Sequence, residues 1–191
     1  MSKTYLYIWW ILAWSPSAWG LVQLEINTGK RWIETSHRTG AKFPIIGQET
    51  SAAFRVAPYS KLPLALGLSY GIVQLNPANF LGSPSKAQIE EVGGELFAWL
   101  PVFDRLVPFL TLQALLNGRL LVRYEDPPSP EAPISSRLHG GRILIGMSYR
   151  VLPISSVSVS AFRGWYTAND IEGEKRGLNA IGVAAGFDLF W

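Results

Sequence analysis

Leu62, Leu64, Leu66, Leu68, Tyr70 and Ile72 occupy every second position of one stretch, and Pro63, Ala65, Gly67, Ser69, Gly71 and Val73 lie between them. Large apolar side chains alternate with mostly small ones, which is strand periodicity; a helix would bring apolar residues back at the third and fourth positions. The end of the chain repeats the pattern, with Ile181, Val183, Ala185, Phe187, Leu189 and Trp191 set against Ala180, Gly182, Ala184, Gly186, Asp188 and Phe190. Leu110, Leu112, Ala114 and Leu116, and again Ile143, Ile145, Met147 and Tyr149, form two more such stripes. Eight alternating segments emerge, at about 21–33, 48–58, 62–75, 89–101, 105–123, 137–151, 155–168 and 178–191.

The connections between them alternate in length. Short ones at 58–61, 102–104 and 152–154 each sit beside a proline, whereas 34–47, 76–88, 124–136 and 169–177 are long. Short turns at one end and long loops at the other describe an up-and-down antiparallel sheet, and an even strand number puts both termini at the short-turn end. The core of the third long loop, Glu125-Asp126-Pro127-Pro128-Ser129-Pro130-Glu131-Ala132-Pro133, is unsuited to strand or helix interior.

The first twenty residues follow a different rule. Lys3 is their only charge, Tyr5 to Trp14 is an apolar block, Ser15-Pro16 ends it, and Ala18-Trp19-Gly20 supplies small residues at −3 and −1. This is the layout of a secretory signal peptide cleaved after Gly20, and the block is too short for a spanning helix. Residues 1–20 are therefore expected to be an export signal and 21–191 the mature domain, with 16 basic and 14 acidic residues left after Lys3 is lost.

Composition narrows the chemistry. With no cysteine among 191 residues, disulfides, thiolate catalysis and cysteine-ligated metals are excluded, and two histidines argue against a histidine-rich metal site. A net charge of +3 without a basic, aromatic-interleaved run gives nucleic-acid binding no support. No cofactor is expected.

An eight-stranded barrel is either a soluble cup with an apolar interior or a membrane barrel with an apolar exterior. The face opposite the aliphatic stripes carries Gly, Ala and Ser with a few charges: Glu25, Arg55, Glu91, Glu95, Arg119, Arg123, Arg142, Arg150 and Asp188. Small residues and paired charges suit a narrow lumen, so the aliphatic stripes are assigned to lipid. Tyr59, Tyr70, Tyr124, Tyr149, Trp165 and Trp191 are then candidates for interfacial girdles.

On these features the chain resembles the small outer-membrane β-barrel proteins of Gram-negative bacteria, the eight-stranded group that includes the OmpA transmembrane domain and OmpX. Phe187, Leu189 and Trp191 are similar to that group's terminal assembly signal, with Trp191 standing where the group usually has Phe. The resemblance implies an integral outer-membrane barrel with periplasmic termini, recognised by the outer-membrane assembly machinery and surrounded by lipid and lipopolysaccharide. A monomer is expected, and the loop ligand is not indicated. Arg163 departs from the pattern, because it falls on the apolar parity of its segment beside Val157, Val159 and Ala161. A midplane charge there costs about 2–4 kcal/mol, so a bulge or a snorkelling position near the interface is expected.

The lumen charges sort by estimated height into a lower group (Glu25, Arg55, Arg150, Asp188) and an upper one (Glu91, Glu95, Arg119, Arg142). Confinement requires them to be paired: Glu95 with Arg119 or Arg142, and Asp188 with Arg55 or Arg150. Phe97, Trp99, Leu115 and Phe190 would fill more of the lumen, so a plugged, structural interior is expected in place of an open pore. No catalytic residues are assigned. His139 is followed by Gly140-Gly141 and lacks the serine two positions on that the lipid A 3-O-deacylase barrel carries. His37 has Ser83 and Ser85 but no Asp in loop 76–88, unlike the lipid A palmitoyltransferase barrel. The expected role is a structural or surface-interaction protein acting through its long loops; the alternatives are a small-solute channel or a lipid A-modifying enzyme.

Overall fold

The computed structural model describes residues 22–36, 42–58, 62–75, 79–80, 83–100, 105–124, 134–169 and 175–190. The proposed signal peptide, Trp191, Tyr59, His37 and the core of the third long loop lie outside the described residues. Eight long strands carry the fold: β1 (Val22–Ser36), β2 (Lys42–Val56), β3 (Leu64–Leu75), β4 (Ser83–Trp99), β5 (Leu106–Tyr124), β6 (Ile134–Leu152), β7 (Ser155–Asn169) and β8 (Lys175–Phe190). A two-residue bridge, Asn79–Phe80, extends the β3–β4 hairpin by pairing with Ser83 and Pro84.

Each strand pairs antiparallel with its sequence neighbour, and β1 also pairs with β8, which closes the sheet on itself. One row of partners runs Leu24, Phe54, Leu68, Gly94, Ala114, Gly141, Trp165, Asn179 and back to β1 at Glu34, ten residues above its start. That stagger over eight strands tilts them by roughly 40–45° and leaves an interior only wide enough for side chains.

The strands explain their own faces. Leu66, Leu68, Leu112, Ile145, Val159, Ile181 and Phe187 are exposed on the outside, while their alternating neighbours turn inward. This apolar belt gives way on the outer wall to Lys86, Gln88 and Glu90 on β4, to Arg137 and His139 on β6, and to Asn179 on β8. Over the same rows the inside becomes aliphatic. Ile33, Ile45, Val73, Leu75, Ile89, Leu138 and Leu178 pack there into one buried cluster. The barrel is therefore inside-out across the belt and apolar-cored beyond it, as expected where the strands leave lipid for water. At the other end Phe97, Trp99, Val107 and Phe109 close the lumen.

This reversal corrects the strand limits. Strands β2, β4, β6 and β8 begin at Lys42, Ser83, Ile134 and Lys175, ahead of the expected 48, 89, 137 and 178. The inward and outward faces exchange polarity there, so the residues read as loop although the backbone continues as sheet.

Candidate functional site: the barrel lumen

Two charged clusters occupy the lumen. In the upper one, Arg31 on β1 is fully buried and binds two carboxylates. Its Nη2 lies 3.0 Å from Glu49 Oε2 and 3.0 Å from Glu91 Oε2, and its Nε donates to Glu49 at 3.1 Å. Arg142 on β6 donates to the other oxygen of Glu49 and to the Gln113 side-chain carbonyl. Gln113 in turn donates to Ser69. The cluster thus ties β1, β2, β3, β4, β5 and β6 together through their interior faces. Below it, Arg55 on β2 binds Glu25 on β1 and, through Nε at 2.7 Å, Glu95 on β4.

Aromatic faces complete both sites. The Phe162 ring lies 5.3 Å from the Arg31 guanidinium and 5.2 Å from that of Arg142, and Tyr166 lies 5.7 Å from Arg31. Phe97 lies 4.5 Å from Arg55. A cation over a ring face is stabilised by the ring's negative quadrupole, more so when water is excluded. The neighbouring strand stays small to make room: Gly182 on β8 is the cross-strand partner of Phe162, and a Cβ there would run into its ring.

Several sequence expectations change here. Arg119 is not in the lumen; it is exposed on the outer wall opposite Glu90 and Arg137. The cause is a β-bulge: Gly93 pairs with Leu115 and Val92 with Asn117, leaving Leu116 as an extra residue that inverts the parity of everything after it. Glu95 belongs to the lower cluster and binds Arg55, not Arg119 or Arg142. Asp188 was expected to meet Arg55 or Arg150; its carboxylate instead accepts from Gln23 Nε2 at 2.9 Å and Ser156 Oγ at 2.8 Å. Arg150 is half-buried at the lower rim, where its backbone N–H donates to the Arg105 carbonyl at 2.8 Å. Glu25, Arg55, Glu91, Glu95, Arg142 and Asp188 do face inward and are buried.

Arg31 and Glu49, the centre of the upper cluster, are missing from the sequence-based set. Their parity was readable, because Arg31 lies six residues from Glu25 and Glu49 six from Arg55. Both sat inside the expected segments but within two residues of their ends. Phe187 and Leu189 lie on the outer wall, as the alternation requires. His139 is exposed on β6, and its carbonyl accepts from Thr167 Oγ1 at 3.4 Å. Arg163 is also exposed, 5.4 Å from the Trp165 ring, with Ile143 and Ile181 as its cross-strand neighbours. Those are the last apolar residues before Gly141 and Asn179, so Arg163 stands at the edge of the belt without a bulge. Among the described residues no group of His, Asp and Glu could hold a metal.

This architecture is that of the small eight-stranded outer-membrane β-barrels, with an apolar belt around its outer wall. No protein-family profile matches the sequence, and no curated protein matches it at the sequence level. The fold is similar to that of Neisserial surface protein A, with a TM-score of 0.62 at 13% identity over 88% of this chain and 97% of that one. The outer membrane protein OprG from Pseudomonas aeruginosa matches at a TM-score of 0.46 and 11% identity, covering 90% of this chain and 98% of its own. Ail, the attachment invasion locus protein of Yersinia pestis, matches at 0.47 and 9% identity over 88% and 99%.

Proposed function

We propose that the mature chain is an integral outer-membrane barrel with periplasmic termini and a plugged lumen, serving as a structural or surface-interaction protein. The observation that carries this reading is the interior network from Arg31 through Glu49 to Arg142 and Gln113, which spans the barrel at belt height. A lumen crossed by paired charges and closed by two apolar layers holds the wall rigid and leaves no path of water for a solute. Near the lower end, the gap beside Gln23, Glu25, Phe97 and Asp188 is too narrow to hold a water molecule. The aliphatic core beyond the belt supports the rest of the proposal, because it stiffens the hairpins that project from the membrane and would carry the loops that meet a partner.

The test joins fractionation with planar-bilayer recording and lipid A mass spectrometry. The expected result is recovery in the outer membrane, a gel band that shifts on heating, no steady conductance, and a lipid A spectrum unchanged by the protein. Steady conductance would favour the channel reading. A new lipid A species would favour an enzyme, with exposed His139 the first residue to substitute.

A further inference from the structure

The outer wall of β7, β8, β1 and β2 carries positive charge where an apolar belt has least use for it. Cross-strand rows descend here as Glu34, Asn179, Trp165; then Trp32, Ile181, Arg163; then Lys30, Val183, Ala161; then Thr28, Ala185, Val159. Arg163 and Lys30 thus flank Ile181 and Val183 just beneath two tryptophans. Glu34, above Trp32, is the one acid on the described outer faces of these strands. Below the cations the wall is hollowed. An open depression of about 1110 Å³ runs down the barrel, lined by Lys30, Gln48, Thr28, Ala161, Val183 and Ala185. Its floor is recessed because residues there are small, whereas β3 on the far side presents a continuous leucine ridge.

We infer that this groove binds a phosphate-bearing, multiply acylated lipid of the outer leaflet, lipid A, with an acyl chain in the depression and phosphate between Lys30 and Arg163. The inference rests on the membrane orientation proposed above. Charge complementarity selects the occupant. Two cations at the rim of the belt have no benefit from hydrocarbon, but each gains from an anion at headgroup depth. The flanking tryptophans suit the same depth, where an apolar body and a polar N–H are both satisfied. A zwitterionic lipid offers the same chains with no net charge to meet the pair.

The test uses protein purified from outer membranes in detergent, incubated with lipid A, dephosphorylated lipid A or phosphatidylethanolamine and read by native mass spectrometry. Lipid A is expected to be retained in preference to the other two by roughly twenty-fivefold, about fivefold for each basic side chain. Lys30→Gln with Arg163→Gln should remove that preference, and Arg137→Gln, on β6 and outside the groove, should keep it. Ala161→Trp should weaken all three lipids by filling the depression. Removing charge from a lipid-facing wall does not hinder insertion, so the double variant should still give the heat-dependent gel shift. Equal retention of the three lipids, a preference that survives the double variant, or dimers in place of lipid adducts would each overturn the inference. A wild-type protein that fails to shift on gels overturns the membrane reading itself, whereas normal insertion without lipid preference overturns only this one.

Discussion

Each position in this chain is judged by the direction its Cβ takes from the sheet. Leu66 is 60% exposed on the outer wall while Gly67, next to it, has no space: a Cβ there would lie 2.6 Å from the Arg55 side chain. Leu66→Arg should therefore destabilise the barrel folded in bilayers by up to about 2–4 kcal/mol, the midplane cost of a lipid-facing arginine, measured by urea titration in lipid. A neutral Leu66→Arg would mean the faces are assigned the wrong way round. Arg55 shows the inward counterpart. Arg55→Met strands Glu25 and Glu95 together and should cost about 3–5 kcal/mol. Adding Glu95→Gln should recover part of that loss and no more, because Glu25 still lacks its partner; strict additivity in the cycle would deny the coupling. Gly140 is a backbone case. Its φ of 149° lies where side chains are strained, and a Cβ would fall 2.0 Å from the Trp165 carbonyl. Gly140→Ala should destabilise by about 1–3 kcal/mol with no change of charge.

Among the elements, β5 is the one whose phase changes partway. Before the bulge, Phe109, Thr111 and Gln113 face inward; after it, Gly118 and Val122 do. The extra residue lets one strand keep leucines on lipid in its lower half and put aliphatics inside in its upper half. Deleting Leu116 would remove the bulge and make Leu115 and Asn117 consecutive partners of Gly93 and Val92, so Arg119 stays outside and Val122 inside. The expected outcome is a variant that keeps the heat-shifted, folded form on gels, whereas deleting Leu112, away from the bulge, should lose it. Loss of the folded form on deleting Leu116 would show that Leu116 is not the extra residue. The sequence carries a hint of it in the adjacent Leu115-Leu116 and Leu120-Leu121 pairs, where alternation breaks. A doublet shows that a strand slips, but not on which residue.

At the scale of the whole molecule, closure is what gives the individual pairs their effect. The Arg31–Glu91 bond joins strands separated in the sheet by β2 and β3, and the Arg142–Glu49 bond reaches from β6 to β2. Such bonds resist flattening of the barrel as well as filling it. Glu49→Gln with Arg142→Met should leave the fold intact and loosen this brace. Hydrogen exchange of the β2 and β6 amides should then rise relative to β8, which contributes mainly small residues to the lumen. Uniform protection in all strands would show that the brace has no mechanical role.

The sequence by itself determined the class of fold. Period-two alternation set the strands, their apolar stripes chose the lipid face, and the unequal connections ordered the hairpins, because these depend only on side-chain direction along one strand. It also identified most of the inward charges by parity. The tertiary structure alone decided which charge meets which. Pairing across a lumen depends on the stagger of ten residues around the barrel and on one bulge, and neither leaves a local pattern strong enough to count from. That is why Glu95 belongs with Arg55, Arg119 lies outside, and Arg31 and Glu49 hold the centre. The upper strand ends stayed hidden for a related reason: alternation continued there, but the solvent had changed sides.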